Sequence, residues 1–281
     1  MTQSYYANMS IPNPPLSEQK AIADFLDEKC GDIDRAAAGL ERQMETLREY
    51  KKSLISETVT KGLDKKAELK DSGIPWIGKI PKDWKVIPVY SYFKERKCIN
   101  YKGAESNLLS LSYGNIIRKD KNTNEGLLPA NFLGYNVVEP GNIVLRFTDL
   151  QNDKRSLRTG LVKERGIITS AYVTLEAYKD LCPSYFHYLL HAYDIKKVFY
   201  NLGAGVRQSL NYTEFSKLRI FSPPLSEQKA IADFLDQKCA AIDQILAGKE
   251  KQLALLQEYR KSLIYEYVTG KKEVPYEPDS Q

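Results

Sequence analysis

The sequence predicts an α+β protein with one globular α+β domain plus two long helices that pair as an antiparallel coiled coil. Three observations predict this fold class. A segment of 47 residues occurs twice, each copy has the apolar spacing of a helix, and short strand-like runs with glycine and proline lie between the copies. The chain has 281 residues, of which 42% are hydrophobic, and this is enough to form a buried core.

The repeat covers residues 14–60 and 223–269 at a constant offset of 209, and 32 of its 47 positions are identical. In each copy a Pro-Pro pair stops a helix from extending upstream, and Ser17 and Ser226 are the predicted N-caps. Apolar residues then alternate at spacings of three and four, as at the a and d positions of a coiled coil. These residues are Ile33, Ala37, Leu40, Met44, Leu47 and Leu54, and Ile242, Leu246, Leu253, Leu256 and Leu263.

A helix of this length with one apolar stripe needs a partner, because helix propensity alone does not hold it together in water. The other copy of the repeat is the obvious partner. One copy leads into the central domain and the other leads out of it, so we expect the two helices to be antiparallel. The alternative is that each helix pairs with another protein or with a second copy of this chain.

The predicted domain boundaries follow from the repeat: a first helical region at 1–63, an α+β domain at 64–220, a second helical region at 221–272 and a tail at 273–281. Trp76 and Trp84 lie in a Gly/Pro-rich entry segment and are expected to anchor the domain by aromatic burial. Predicted strands lie at 84–88, 108–113, 141–147, 159–162 and 167–175. A helix is predicted at 183–200, followed by a glycine break at 203–205.

The positive charge is concentrated in the middle of the chain. Residues 64–219 carry 25 Lys+Arg against 16 Asp+Glu, whereas residues 1–63 and 220–281 each carry 8 against 10. The central domain is therefore where a polyanion such as nucleic acid would dock, although a basic domain without a nucleic-acid partner stays possible. No apolar run approaches the ~20 residues of a membrane span. Four scattered cysteines suggest reduced thiols and a cytoplasmic protein.

No pattern in the sequence predicts catalysis, a metal or a bound cofactor. The run Asn13-Pro14-Pro15-Leu16 resembles a motif of amino-methyltransferases, but no glycine-rich strand-turn-helix for S-adenosylmethionine accompanies it. His187 and His191 have the i, i+4 spacing of zinc ligands. Without a clear third ligand, they are better interpreted as packing or surface residues.

Three polar, basic loops of the central domain are the candidate DNA-binding site, at residues 113–121, 146–158 and 203–209. Arginine pairs with guanine, asparagine and glutamine pair with adenine, and lysine contacts phosphate. Solvated loop charge is the alternative for any one of these residues. The candidates are Tyr113, Asn115, Arg118, Lys119, Arg146, Gln151, Asn152, Lys154, Arg155, Arg158, Arg207 and Gln208.

The chain resembles the specificity subunits of type I restriction-modification systems. The resemblance rests on PPLSEQKAIADFLD in both copies, on KDSGIPWIGKIPKDW at 70–84 and on GAGVRQSL at 203–210. It implies a non-catalytic subunit whose target-recognition domain reads one half of a bipartite site in double-stranded DNA. Modification (methyltransferase) subunits and a restriction (motor-nuclease) subunit would be its partners, and they would bring S-adenosylmethionine, ATP and Mg²⁺. A coiled-coil scaffold whose basic domain binds a protein is the alternative.

The chain departs from the family pattern in holding one target-recognition domain where a full subunit holds two. It could therefore form a homodimer or pair with a complementary half-subunit. Exposed positions identical in both copies suggest that two copies of one partner dock on the helices, although recent duplication would also leave such identity. These predicted docking residues are Glu49, Tyr50, Lys52, Glu57, Glu258, Tyr259, Lys261 and Glu266.

Overall fold

The computed structural model describes residues 11–75, 77–120, 131–148, 150, 157–202 and 210–274. The chain divides into two compact units, one formed by residues 1–50 and 240–281 and the other by residues 51–239. The second unit includes the end of the first repeat helix and the start of the second, so it is longer than the predicted domain at 64–220. Within the described residues, no helix is long and apolar enough to span a bilayer.

Two long helices, α1 (Leu16–Lys61) and α4 (Leu225–Val268), correspond to the two copies of the repeat. Both begin at the leucine that precedes the predicted N-cap, so Ser17 and Ser226 lie inside the helices and are not the N-caps. The carbonyls of Pro15 and Pro224 accept the first helical hydrogen bonds, each at 2.9 Å. A proline fits this position because its missing N–H is not needed there.

The helices of the first unit lie antiparallel. A small cluster buries Leu26, Ile33 and Leu263 between them. Residue pairs that join the helices advance along α1 as they go back along α4: Phe25 with Tyr267, Asp34 with Arg260 and Gln43 with Lys249. None of the apolar stripe residues predicted above is exposed.

The second unit holds twelve described strands and two further helices, α2 (Pro183–Ile195) and α3 (Tyr212–Phe215). β4, β11, β8 and β9 form an antiparallel sheet in that order, and the other strands pair as β1 with β2, β3 with β12, β5 with β6 and β7 with β10. The strands are β1 (Leu69–Asp71), β2 (Lys79–Pro81), β3 (Lys85–Pro88), β4 (Phe93–Glu95), β5 (Leu109–Ser112), β6 (Asn115–Arg118), β7 (Asn136–Val138), β8 (Ile143–Leu145), β9 (Thr159–Leu161), β10 (Gly166–Ile168), β11 (Val173–Ala177) and β12 (Arg219–Ser222).

The core of this unit takes in the ends of both long helices. Ile55 and Val59 of α1 and Ile231 and Leu235 of α4 belong to the same buried cluster as the aromatic residues of α2. Trp84 is buried as predicted, and its indole N–H donates to Glu227 Oε2 at 3.0 Å. Burial raises the pKa of the Glu227 carboxyl. The helix ends are therefore structural parts of the domain, which explains why the unit extends beyond 64–220.

Two predicted elements are shorter than expected. The helix predicted at 183–200 ends at Ile195, because Lys197 adopts a left-handed conformation (φ 59°) that no α-helix continues through. A short 3₁₀ helix, Val198–Asn201, follows it. The strand predicted at 167–175 is two strands, β10 and β11, which belong to different sheets.

Candidate nucleic-acid interface

The first predicted loop contains a β-hairpin. β5 pairs with β6, and Ser112 lies opposite Asn115, which leaves Tyr113 and Gly114 as a two-residue turn. Both turn residues have positive φ, 45° and 83°, the arrangement that matches the twist of a tight hairpin. The prediction of a loop over 113–121 is thus wrong for Asn115–Arg118, which is strand. The hairpin presents Tyr113 at its tip with 78% of its surface exposed.

Two cations predicted for this loop have different surroundings. Arg118 is exposed and makes a bidentate ion pair with Glu164, with Nε at 2.8 and 2.9 Å from the two carboxylate oxygens. Hydrogen bonding to Arg118 lowers the pKa of Glu164. Lys119 is half-buried, and its backbone N–H donates to the Leu108 carbonyl. The exposed Asn115 lies beside the hairpin tip.

Arg158 lies in the interior of the domain with 0% of its surface exposed. Its Nη1 donates to the carbonyls of Arg146 and Thr148 at 3.2 and 2.8 Å, and its Nε donates to the Tyr200 hydroxyl at 3.2 Å. Its backbone N–H donates to Asp194 Oδ2 at 2.6 Å. The expectation of a DNA contact by Arg158 is therefore corrected: a guanidinium engaged with interior acceptors does not reach a DNA groove.

The described flanks of the three loops lie together. A Cβ placed on Gly114 would be 3.2 Å from the Leu157 side chain, so the hairpin tip adjoins a residue at the end of the second loop. The Leu210 N–H donates to the Phe147 carbonyl at 3.3 Å, which joins the end of the third loop to the start of the second. Arg146, half-buried, is at the same place, since its N–H donates to the Arg158 carbonyl at 2.8 Å.

Half of the predicted DNA-binding residues cannot be located in this way. Gln151, Asn152, Lys154, Arg155, Arg207 and Gln208 lie outside the described residues. The loops to which they belong begin and end at the flanks described above. Sequence reasoning did not find the residues that bring these flanks together, Asp194 and Tyr200. A buried acidic residue near the end of a helix is a weak signal without the fold.

His187 and His191 lie on α2, which packs against β9, and His187 interacts with the backbone of Thr159 in that strand. Both are partly buried, and His187 Nε2 and His191 Nδ1 are shielded from solvent. Burial lowers the pKa of His187 to about 4 and that of His191 to about 3. The described residues contain no group of three or more His, Cys, Asp or Glu side chains placed to hold a metal ion.

The predicted partner-docking residues are mostly on the surface of the long helices. Seven of the eight are exposed, whereas Glu266 is half-buried and pairs with Lys272 at 2.7 Å. The equivalent tyrosines Tyr50 and Tyr259 are 55% and 57% exposed. Equal exposure of the same side chain in both copies is what a duplicated docking surface would show.

Comparison with known proteins finds similarity to one family of subunits. A family profile for the type I restriction modification DNA specificity domain matches residues 162–255. The putative type I restriction enzyme MjaX specificity subunit of Methanocaldococcus jannaschii is 26% identical over 288 residues, covering 96% of this chain and 61% of the relative. The chain is therefore similar to type I specificity subunits over nearly its whole length.

Further comparisons agree with this relationship. The type I restriction enzyme MjaVIII specificity subunit of the same organism is 27% identical over 290 residues, covering 95% of this chain and 63% of its own length. A chain from a structural study of the assembly and conformational transition of a type I R-M system has the same fold, with a TM-score of 0.69, 15% identity, and coverage of 97% of this chain and 64% of that one. This chain thus spans less than two thirds of the length of each of these proteins.

Proposed function

We propose that the chain is a non-catalytic DNA-recognition subunit of a type I restriction-modification complex, whose α+β domain reads one half of a bipartite site in double-stranded DNA. The observation that carries the proposal is the meeting of three loop flanks at Gly114, Leu157, Phe147 and Leu210. Loops whose ends lie close together on the protein can contact one stretch of a DNA groove. Methyl transfer and ATP hydrolysis, with S-adenosylmethionine, ATP and Mg²⁺, would reside on the modification and restriction subunits.

The distribution of charge supports DNA rather than a protein as the ligand of this domain. The central residues 64–219 carry nine more basic than acidic side chains. Phosphate contacts by Lys and Arg supply most of the salt-dependent affinity for DNA, while base contacts supply the sequence preference. Tyr113 and Asn115 are exposed at the hairpin tip. They are suited to base contacts, because their side chains can contact base edges or base faces.

The helix pair would act as a coiled-coil spacer and docking surface. Its length would set the distance between two target-recognition domains and hence the spacing between half-sites. One groove of about 680 Å³ along the pair is lined by residues including Leu40, Leu255 and Tyr259, and a second is lined by residues including Leu47 and Lys249. Most residues that line one groove are equivalent, at the repeat offset of 209, to residues that line the other. This equivalence supports docking of two copies of one modification subunit.

The two repeat copies also differ in a way that supports a second target-recognition domain as a partner. Gln228 of α4 is buried and accepts a hydrogen bond from the Cys182 N–H, whereas its counterpart Gln19 in α1 is exposed. Ala232 is 2% exposed and buried in the domain core, whereas its counterpart Ala23 is exposed. The same stretch of sequence is therefore buried by the α+β domain in the second copy and exposed to solvent in the first.

The residues that are exposed in one repeat copy but buried in the other include the end of α4. Val59 of α1 is fully buried, and the equivalent Val268 of α4 is 50% exposed. A second identical chain does not supply the missing cover, because its own domain already covers its own Val59 and Ala232. The better occupant is a complementary target-recognition domain, supplied by another chain or by sequence joined to this one. The homodimer is accordingly the weaker of the two predicted assemblies.

Selection from a pool of DNA duplexes with a randomised centre tests the proposed function. We expect the full chain to enrich one short sequence, and its affinity for that sequence to fall by about tenfold or more between 50 and 200 mM salt. Binding that is independent of salt and enriches no sequence would instead favour the scaffold protein. A duplex of scrambled sequence and equal length is the control for non-specific binding.

A further inference from the structure

Arg158 is a buried cation in a part of the domain that is otherwise mostly aromatic. Phe147, Phe199 and Phe215 contact one another with ring centroids 4.9 to 5.8 Å apart. The Arg158 guanidinium lies 5.4 Å from the centroid of the Tyr200 ring. Taking a charge out of water costs several kcal/mol unless hydrogen bonds compensate, and the Arg158 guanidinium makes three of them.

The acceptors of Arg158 show what its hydrogen bonds connect. The Arg146 and Thr148 carbonyls lie at the start of the second predicted DNA loop, residues 146–158, and Arg158 itself is the last residue of that loop. The Tyr200 hydroxyl lies shortly before the third loop. One guanidinium therefore ties together the flanks of two loops. Because carbonyl acceptors must point at the donor, these bonds fix the orientation of the backbone as well as its distance.

The backbone of Arg158 is held as firmly as its side chain. Its N–H donates to Asp194 Oδ2 near the end of α2, and its carbonyl accepts from the Arg146 N–H. Gly114 of the hairpin adjoins the preceding residue, Leu157. The position of the hairpin tip relative to the second loop thus depends on the same short stretch of chain.

We propose that Arg158 is a positioning residue for DNA recognition: without touching DNA, it sets the relative geometry of the recognition loops on which base discrimination depends. The inference rests on the proposed function of the domain. A positioning role for Arg158 would affect discrimination between bases but not non-specific affinity for DNA. Non-specific affinity comes from exposed cations and does not require one loop geometry, whereas discrimination between bases requires side chains placed within a fraction of an ångström.

The test compares full-length variants for thermal unfolding, for discrimination between the selected duplex and a scrambled duplex, and for the salt dependence of binding. Arg158→Lys keeps the charge but has a single nitrogen in place of the guanidinium fork. Tyr200→Phe removes one acceptor and keeps the ring. We expect each to lose about tenfold or more of the discrimination, with affinity for the scrambled duplex and the salt slope unchanged.

Arg96→Lys is the matched control. Arg96 also donates to a backbone carbonyl, that of Val137 at 2.9 Å, and pairs with Glu176, but it does so among the strands rather than at the loop flanks. We expect it to lower the melting temperature while keeping discrimination.

Three outcomes separate the possibilities. Loss of discrimination in Tyr200→Phe and Arg158→Lys but not in Arg96→Lys supports the inference. Full discrimination in folded Tyr200→Phe and Arg158→Lys overturns it and leaves the DNA-reading function standing. Failure of the unaltered chain to prefer any duplex overturns the proposed function itself.

Discussion

His187 and His191 make the stability of the folded domain depend on pH. Burial holds their pKa values at about 4 and about 3, well below the ordinary value of 6.5, and the nearby Lys163 and Lys51 also lower them, whereas Asp236 raises that of His187. As the pH falls below 6.5, the unfolded chain binds protons at these rings and the folded chain does not. The free energy of unfolding therefore decreases from pH 6.5 down to about pH 4.

We expect His187→Gln to weaken this dependence. The glutamine does not titrate, so the variant should lose less stability than the unaltered chain between pH 7 and pH 4.5, by on the order of 2 kcal/mol. Chemical denaturation at a series of pH values measures it. The comparison uses slopes rather than absolute stabilities, because the substitution also changes packing and because carboxylates titrate in both proteins. Parallel curves for the two proteins would contradict the expected role of His187.

Single residues also mark the limit of what the sequence could predict. A basic loop predicts exposed arginines, and Arg118 is exposed. Arg158 has the same local context but is buried, because its acceptors lie on segments distant along the chain, at Arg146 and Tyr200. Likewise, nothing local predicts that Glu164 pairs with Arg118, 46 residues away. The type of side chain indicated the chemistry, whereas the tertiary fold decided which cation faces solvent.

The β5–β6 hairpin combines a strained turn with an exposed aromatic side chain. Tyr113 has a φ of 45°, a conformation that costs a residue with a side chain about 1 kcal/mol, and its ring has little packing to offset that cost. Strain of this kind is often retained where a side chain has a function. The domain would therefore be more stable, and a poorer DNA reader, with glycine at the hairpin tip.

We expect Tyr113→Gly to stabilise the domain by about 0.5 kcal/mol, because glycine adopts the turn without strain but has more freedom in the unfolded chain. The same variant should bind its selected duplex about tenfold more weakly, since it loses the phenol ring and hydroxyl that would contact base edges in the groove, and each good base contact contributes ~1–3 kcal/mol of discrimination. Thermal melting and a binding titration measure the two effects. Tyr101→Ala is the control, since Tyr101 is also 78% exposed but lies outside the predicted recognition loops. A Tyr113→Gly protein that binds as well as the Tyr101→Ala protein would argue against a role in recognition.

Elements with clear local sequence signals, such as a helix-stopping Pro-Pro pair and a regular apolar stripe, were predictable from the sequence. Other elements were not. Both long helices follow a Pro-Pro pair and carry a continuous apolar stripe, and both were predicted to within a few residues. Six of the twelve described strands were not predicted, namely β1, β2, β4, β6, β7 and β12, although β8 and β9, which are equally short, were. β12 is held by pairing with β3, which lies more than 130 residues away in sequence, and no local pattern reports such a partner.

At the scale of the whole molecule, the repeat provides an internal comparison. The start of α4 and the end of α1 are built into the core of the α+β domain, through Ile231, Leu235, Ile55 and Val59. The equivalent residues Ile22, Leu26, Ile264 and Val268 have nearly the same sequence context but are more exposed. A second domain, if it packs on these positions as the first domain packs on their counterparts, would cover Val268 and Ala23 in the assembled protein.

A matched pair of substitutions tests this interpretation. Ala232 is buried in the domain core, so Ala232→Arg should lower the free energy of unfolding by about 3 kcal/mol or more, because it buries an unpaired charge. Ala23 is the same residue of the other repeat copy and is exposed, so Ala23→Arg should leave the melting temperature of this chain within about 2 °C. In cells that carry the complete restriction-modification system, Ala23→Arg should nevertheless abolish methylation at the sites that depend on this chain, because the arginine blocks the complementary domain. Sequencing of methylated bases measures this. Normal methylation by a stable Ala23→Arg protein would mean that the exposed copy of the repeat is not an interface.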